Sequence, residues 1–203
     1  MPAETGIGWD HVRAALAPGK GAGSSDFNLN SRAAVIMTYR PASVLVPLVE
    51  RAHGLNVILT KRASHLKHHP GQIAFPGGKM DPEDPTAEAA ALREAKEEIG
   101  LPAAAAQILG HLPCHRTMTA FEVRPVVARI DPAFRPVPAS GEVAEIFEIP
   151  LIHVTQAENF LVESRLWREQ RRFYYVVPYG PYYIWGATAR MLRLFTEHLE
   201  RVR

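Results

Sequence analysis

The chain has 203 residues, 47% of them hydrophobic and 22% charged, which suits one globular domain with a sizeable core, alone or with a short extension. A net charge of +2 is too small to argue for a nucleic-acid protein on bulk charge, so any basic function must be local. The one cysteine, Cys114, excludes an internal disulfide framework and a cysteine-rich zinc site. No segment approaches the ~20 apolar residues of a membrane span. The opening stretch MPAETGIGWDHVRAALAPGKG lacks the basic-then-apolar order of a secretory leader. The expectation is a cytoplasmic protein with a small-molecule partner, bound to neither nucleic acid nor membrane. The oligomeric state stays open, a homodimer included.

In chain order, residues 8–17 suit a short helix, and residues 18–26, PGKGAGSSD, have the composition of a flexible linker. Residues 1–30 therefore read as an extension and residues 31–203 as the main domain. AAVIMTY, SVLVPLVE and LNVILTKR are short apolar runs between Pro, Gly or polar residues, and predict strands. PTAEAAALREAKEEIG, residues 85–100, predicts a helix, with Asp84 as its cap, Pro85 in its first turn, and Gly100 with Pro102 ending it. QILGHLP, FEVRPVVARI and EVAEIFEIPL predict further strands, and RRFYYVVPYGPYYIW a hairpin. The last helix, residues 186–202, places Met191, Phe195, Leu199 and Val202 on one side. Strands, a helix, more strands and a helix suggest a mixed sheet with helices packed on it.

Within REAKEEIG, Glu94 and Glu98 fall one helical turn apart, with Glu97 beside them and Leu92, Ala95 and Ile99 on the opposite side. Arg93 is four residues before Glu97 and can pair with it. Clustered carboxylates of this kind suit a hard divalent cation, Mg²⁺ or Mn²⁺. The plain alternative is a solvated acidic face. The preceding residues weigh against that alternative. Gly77 and Gly78 allow backbone to approach a ligand closely. No acid occurs from Arg51 through Met80, where Lys61, Arg62, Lys67 and Lys79 fall, yet seven acids follow between Asp81 and Glu98. A basic segment running into an acidic helix can hold a phosphorylated substrate on one side and its metal on the other.

GGKMDPEDPTAEAAALREAKEEIGL, from Gly77 to Leu101, resembles the Nudix box, through Gly78, Arg93, Glu94, Ala95, Glu97, Glu98, Gly100 and Leu101. Asp84 stands where the box has its first glutamate, and one extra residue separates it from Arg93. The resemblance implies an α/β fold, an α/β/α sandwich around a mixed β-sheet, and hydrolysis of a nucleoside diphosphate linked to another group. It implies that Glu94, Glu97 and Glu98 bind the metal, with the Gly78 carbonyl as a further ligand, and that Arg93, Gly77 and Gly100 are structural. A later-loop general base is implied in some members. Glu142 is the candidate here, ahead of Glu145. A non-catalytic module of the same fold would be expected to lose box glutamates, and all three are present.

Upstream, ILTKRASHLKHHPGQIAFPGG resembles the signature of the coenzyme A pyrophosphatase subgroup, through Leu59, Thr60, Arg62, Gly71, Phe75, Pro76, Gly77 and Gly78. Ile58, Ala63 and Lys67 depart from it. The resemblance implies cleavage of coenzyme A or a derivative to 3′,5′-ADP and 4′-phosphopantetheine. Arg62, Lys67 and His69 are the candidates for reading the additional 3′-phosphate. Lysine at 67 offers a point charge where arginine would offer a fork. Broader selection is the alternative: ADP-ribose, a dinucleoside polyphosphate or a damaged nucleotide. His65, His68 and His69 have helical zinc-ligand spacing, but Pro70-Gly71 argues against a helix there. Cys114-His115 is a weak nucleophile pattern. The aromatics of residues 173–185 read as packing, with one or two available to stack on adenine.

Overall fold

A computed structural model describes residues 6–17, 22–30, 38–167 and 169–202. Its centre is a pair of apolar strands, β2 (Arg40–Arg51) and β3 (Gly54–Arg62), joined antiparallel by a tight turn. Their nearly continuous apolar runs suit strands covered on both faces. Leu45, Val49 and Ile58 pack on one side, and Val46, Leu48, Val57 and Leu59 on the other. β8 (Phe121–Ile130) lies parallel to β2 over ten residue pairs, with β6 (Ala106–His111) and β7 (His115–Arg116) on its far edge. β9 (Val143–Pro150) closes the far edge of β3. Most of the strand expected at residues 33–39 lies outside the described residues.

Helix α2 (Ala87–Ile99) covers one face of this mixed sheet, burying Ala91, Ala95 and Ile99 against Leu45, Val126 and Ile130. Thr86, not Asp84, caps it: its hydroxyl accepts from the Ala89 N–H at 3.2 Å. Gly100 ends it in the left-handed conformation, φ 70°. The other face is covered by α3 (Ala187–Glu200), through Met191, Leu192, Phe195 and Leu199, and by α1 (Trp9–Ala15), through Val12 and Ala15. His198 Nδ1 donates to the Ala15 carbonyl at 3.1 Å. The segment expected to be an appended extension is thus built into the fold. Residues 18–21 lie outside the described ones, but Ser24–Ser25 form a short strand, β1, parallel to β7. No described helix is long and apolar enough to cross a membrane.

The expected hairpin is a separate three-stranded antiparallel sheet: β10 (Leu161–Trp167), β11 (Gln170–Tyr179) and β12 (Tyr182–Trp185). Its inner face packs Val177 and Ile184 onto the core under α3.

One ion pair ties three strands of the main sheet together. Arg51 grips Glu148 with Nε at 2.9 Å and Nη2 at 2.6 Å, and Asn56 donates to the same carboxylate at 3.0 Å. The Arg51 bond holds the Glu148 carboxyl below its usual range. Its unfolded value is about 4.3. The pair's contribution is therefore complete above that pH and is lost as pH falls through the lowered folded value. Glu148→Gln is expected to reduce stability at neutral pH by about 1–2 kcal/mol and to flatten the acid side of the stability–pH curve. Thermal melts of both proteins from pH 7 down to pH 3 check this; parallel curves would contradict it.

Candidate active site

The site is built where β2 and β3 part. Beyond Leu48 and Val57 they diverge, and residues 73–79 fill the opening. β4 (Ile73–Ala74) pairs with β3, and β5 (Gly77–Lys79) pairs with β2. A side chain at Gly77 would place its Cβ 2.5 Å from the Ser43 carbonyl oxygen. One at Gly78 would place it 2.5 Å from Glu94 Oε1. Two glycines in a row therefore let backbone lie between β2 and the acidic face of α2.

Glu98 is only 5% exposed, and its Oε2 accepts from the Gly77 N–H at 3.3 Å. Burial pushes its carboxyl up to about 7; Glu94 and Glu142 add to the rise, and the Gly77 N–H and Arg62 oppose it. Burial also raises Glu94, against the pull of Arg93. Glu97 is exposed. Arg93 is a hub. It forks onto Asp84 with Nε at 3.1 Å and Nη2 at 2.8 Å. It also reaches Glu94 at 3.0 Å, Glu97 at 3.3 Å, Asp81 at 3.4 Å and the Lys79 carbonyl at 3.1 Å. Asp84, in the place of the first box glutamate, thus binds the arginine that braces the loop to the helix.

A cleft of about 450 Å³ opens beside Gly77. Arg62, His69 and Gln72 line one wall. The three-stranded sheet contributes Arg165, Trp167, Arg172, Tyr174 and Trp185 to the lining. Among the expected substrate-reading residues, Arg62 and His69 reach this cleft. Lys67 does not: it is exposed on the irregular loop before Pro70. That loop, which carries His65, His68 and His69, forms turns rather than a helix. Glu142 is exposed at the start of β9, close enough to Glu98 to be felt electrostatically, and its carbonyl accepts from Ala63 N–H at 2.8 Å. Glu145 is engaged by the Tyr182 hydroxyl, whose ring stacks on Phe147.

His115 is fully buried, and both its ring nitrogens are engaged. Nε2 donates to Asp26 Oδ1 at 3.0 Å, and Nδ1 faces the Ser24 hydroxyl at 2.9 Å. It therefore activates no Cys114 thiolate, and burial pushes the Cys114 thiol up. The cluster instead pins residues 24–26 to β7. Further along this segment, Asn30 exchanges two hydrogen bonds with the Phe173 backbone, at 2.9 and 3.0 Å, and so bridges to the second sheet.

A NUDIX domain family model matches residues 39–175. The chain belongs to the Nudix hydrolase family. The Nudix fold expected from the sequence is the fold observed, and the family acts on phosphoric anhydrides. The protein named as the uncharacterised Nudix hydrolase NudL of Enterobacter sp. (strain 638) is 40% identical over 158 residues, covering 78% of this chain and 82% of the relative. The NudL of Salmonella paratyphi B is 39% identical over 157 residues, covering 77% and 81%. The solved MutT protein of Methanosarcina mazei Go1 superposes with a TM-score of 0.52 at 19% identity, over 82% of this chain and 96% of that one, a likeness of fold alone.

Nudix hydrolases generally need divalent metal ions. Among the described residues, no three His, Cys, Asp or Glu side chains form a ready-made metal cluster. Glu94 and Glu97 lean on Arg93, while Glu98 lies on the Gly77 amide. The residues nevertheless fit such an ion. Their donors are hard oxygens, two of the carboxylates lie in a setting that disfavours uncompensated charge, and the Gly78 backbone lies against Glu94.

The sequence did not single out Arg165 and Trp167, and offered Trp185 only as one of the aromatics of residues 173–185. The run Leu161–Trp167 carries no apolar–polar alternation to mark it as a strand; pairing with β11 makes it one and puts Arg165 and Trp167 on one face.

Proposed function

We propose that this Nudix hydrolase cleaves the pyrophosphate of coenzyme A or a derivative to 3′,5′-ADP and 4′-phosphopantetheine. One observation carries the reading: Arg62, His69 and Gly77, all from the upstream signature segment, line one cleft, and the Gly77 amide is bonded to Glu98. In this reading Glu94, Glu97 and Glu98, with the Gly78 carbonyl, hold Mg²⁺ or Mn²⁺. The bound ion supplies charge stabilisation at the phosphoric anhydride and a more acidic attacking water. Arg62 neutralises charge on the pyrophosphate from the wall beside Glu98. Glu142 takes the proton of the attacking water. A cytoplasmic location suits this substrate.

Incubation with coenzyme A and Mg²⁺, followed by mass spectrometry, is expected to give the two products. A second reading, hydrolysis of another nucleoside diphosphate derivative such as ADP-ribose, is favoured by Ala63 and by the placement of Lys67 outside the cleft. Rapid turnover of ADP-ribose with none of coenzyme A would overturn the first reading and support the second.

A further inference from the structure

β10 is an edge strand. It pairs with β11 along one side, from Leu161 to Trp167, and among the described residues no strand pairs with its other side. Folded proteins usually blunt such an edge with proline, a bulge or a covering segment. β10 has no proline, and its register runs without a bulge. It is bare on both faces: Leu161 is 48% exposed, Val162 52%, Leu166 73% and Trp167 42%.

The direction of its backbone groups follows from Asn30. The Asn30 side chain takes both the N–H and the carbonyl of Phe173, at 2.9 and 3.0 Å. Phe173 therefore turns its backbone away from β10. In an antiparallel ladder the residue opposite such a position turns away as well. That residue is Ser164. Ser164 thus points its N–H and carbonyl at the open side, and Val162 and Leu166, two residues either way, do the same. Glu163 and Arg165, between them, direct theirs at β11.

Around Ser164 the strand reads the same by chemical type in either direction: Leu161, Val162, Glu163, then Arg165, Leu166, Trp167. A second copy laid antiparallel, with Ser164 opposite Ser164, sets Glu163 opposite the partner's Arg165. It also sets Val162 opposite the partner's Leu166, and Leu161 opposite the partner's Trp167. Every contact then occurs twice, and opposite charges and apolar groups directly across a ladder favour pairing. The outward groups of Val162, Ser164 and Leu166 meet their counterparts in this same register. Moving the axis by one residue puts Glu163 opposite Glu163 or Arg165 opposite Arg165, which opposes pairing. Both charges are available for the contact. The cross-strand neighbour of Arg165 on β11 is Arg172 rather than a carboxylate, and its guanidinium lies 4.9 and 5.2 Å from the Trp185 and Trp167 ring centres. The Glu163 carboxylate accepts from the Tyr183 hydroxyl at 2.6 Å and keeps lone pairs for a guanidinium.

We propose that β10 is a homodimer interface, in which two copies join edge to edge about a two-fold axis at Ser164. The contact uses the same surface on both copies, so it closes at two. Arg165 and Trp167 also line the cleft, so the partner's Glu163 and Leu161 come to lie beside the candidate active site. The dimer does not depend on which nucleotide the enzyme cleaves.

Sedimentation velocity of the full chain at micromolar concentration is expected to show a species of twice the chain's mass. Arg165→Glu sets like charges against each other at both Glu163 contacts and should weaken the dimer about tenfold or more. Glu163→Arg should do the same. The double variant, Glu163→Arg with Arg165→Glu, should recover the wild-type dimer. Ser164→Pro removes an N–H that β11 does not use, and should give a monomer that melts cooperatively. Hydrogen exchange should find the Val162 and Leu166 amides protected in the wild type and open in Ser164→Pro. If Ser164→Pro does not fold, the charge exchange still decides, because a damaged monomer would not be rescued by the second reversal. A wild-type monomer overturns the proposal. So does a dimer that survives both single reversals, since it would use another surface. A monomer whose Val162 and Leu166 amides are protected also overturns it, with another segment of the chain as the cover.

Discussion

Glu98→Gln is expected to lower kcat by about 10²–10³-fold without unfolding the protein. The melting temperature should stay level or rise. Glu98 is 5% exposed, and a buried charge without a cation is unfavourable, so the neutral amide removes a burden while keeping the shape. The amide can still accept from the Gly77 N–H, which preserves the bond between α2 and the glycine loop. Activity and stability thus move in different directions, which a purely structural glutamate would not show. The measurements are steady-state kinetics with Mg²⁺ and thermal denaturation without it. Wild-type turnover in the variant would contradict a metal role for this residue.

Arg93→Ala should lose both activity and stability. The guanidinium serves Asp81, Asp84, Glu94, Glu97 and the Lys79 carbonyl at once. Without it, four carboxylates face one another, and the segment after β5 loses its tie to α2. Misplacement of the glycine loop by about an ångström is enough for a 10²-fold fall in rate. Arg93→Lys should rescue little, because an ammonium cannot reproduce the fork onto Asp84 at 3.1 and 2.8 Å. Rates and melting curves of both variants, read together, decide this; near-wild-type behaviour of the lysine form would show that charge alone suffices.

The asymmetry between what could and could not be read beforehand has a physical basis. β2 and β3 announce themselves because burial on both faces demands unbroken apolar runs, and α2 because its carboxylates and its apolar stripe obey one helical period. Asp84 was readable as an acid near a helix start, but Thr86 takes the cap because Asp84 is drawn away by an arginine nine residues on. Residue type alone does not decide such a competition. Arg62 and Lys67 looked equivalent in sequence. They separate because Arg62 is the last residue of a strand and lines the cleft, whereas Lys67 rides on the loop that follows. The second sheet's part of the lining was hidden for a different reason. Arg165 and Trp167 acquire meaning only through cross-strand register with β11, and register is a property of a pair of strands, not of either one.

The packing of α1 against α3 has a bearing on where this protein begins and ends as a folding unit. The family match covers residues 39–175, which contain α2 and all of the main sheet except β1. Outside it lie both helices that shelter the sheet's other face, the Asn30 bridge, and Trp185 of the cleft wall. The two ends of the chain meet at His198 and Ala15, so the first and last thirds share responsibility for one hydrophobic layer. The recognisable motif is therefore a label on part of the molecule, while the hydrophobic layer beneath it draws on residues from Ile7 to Leu199.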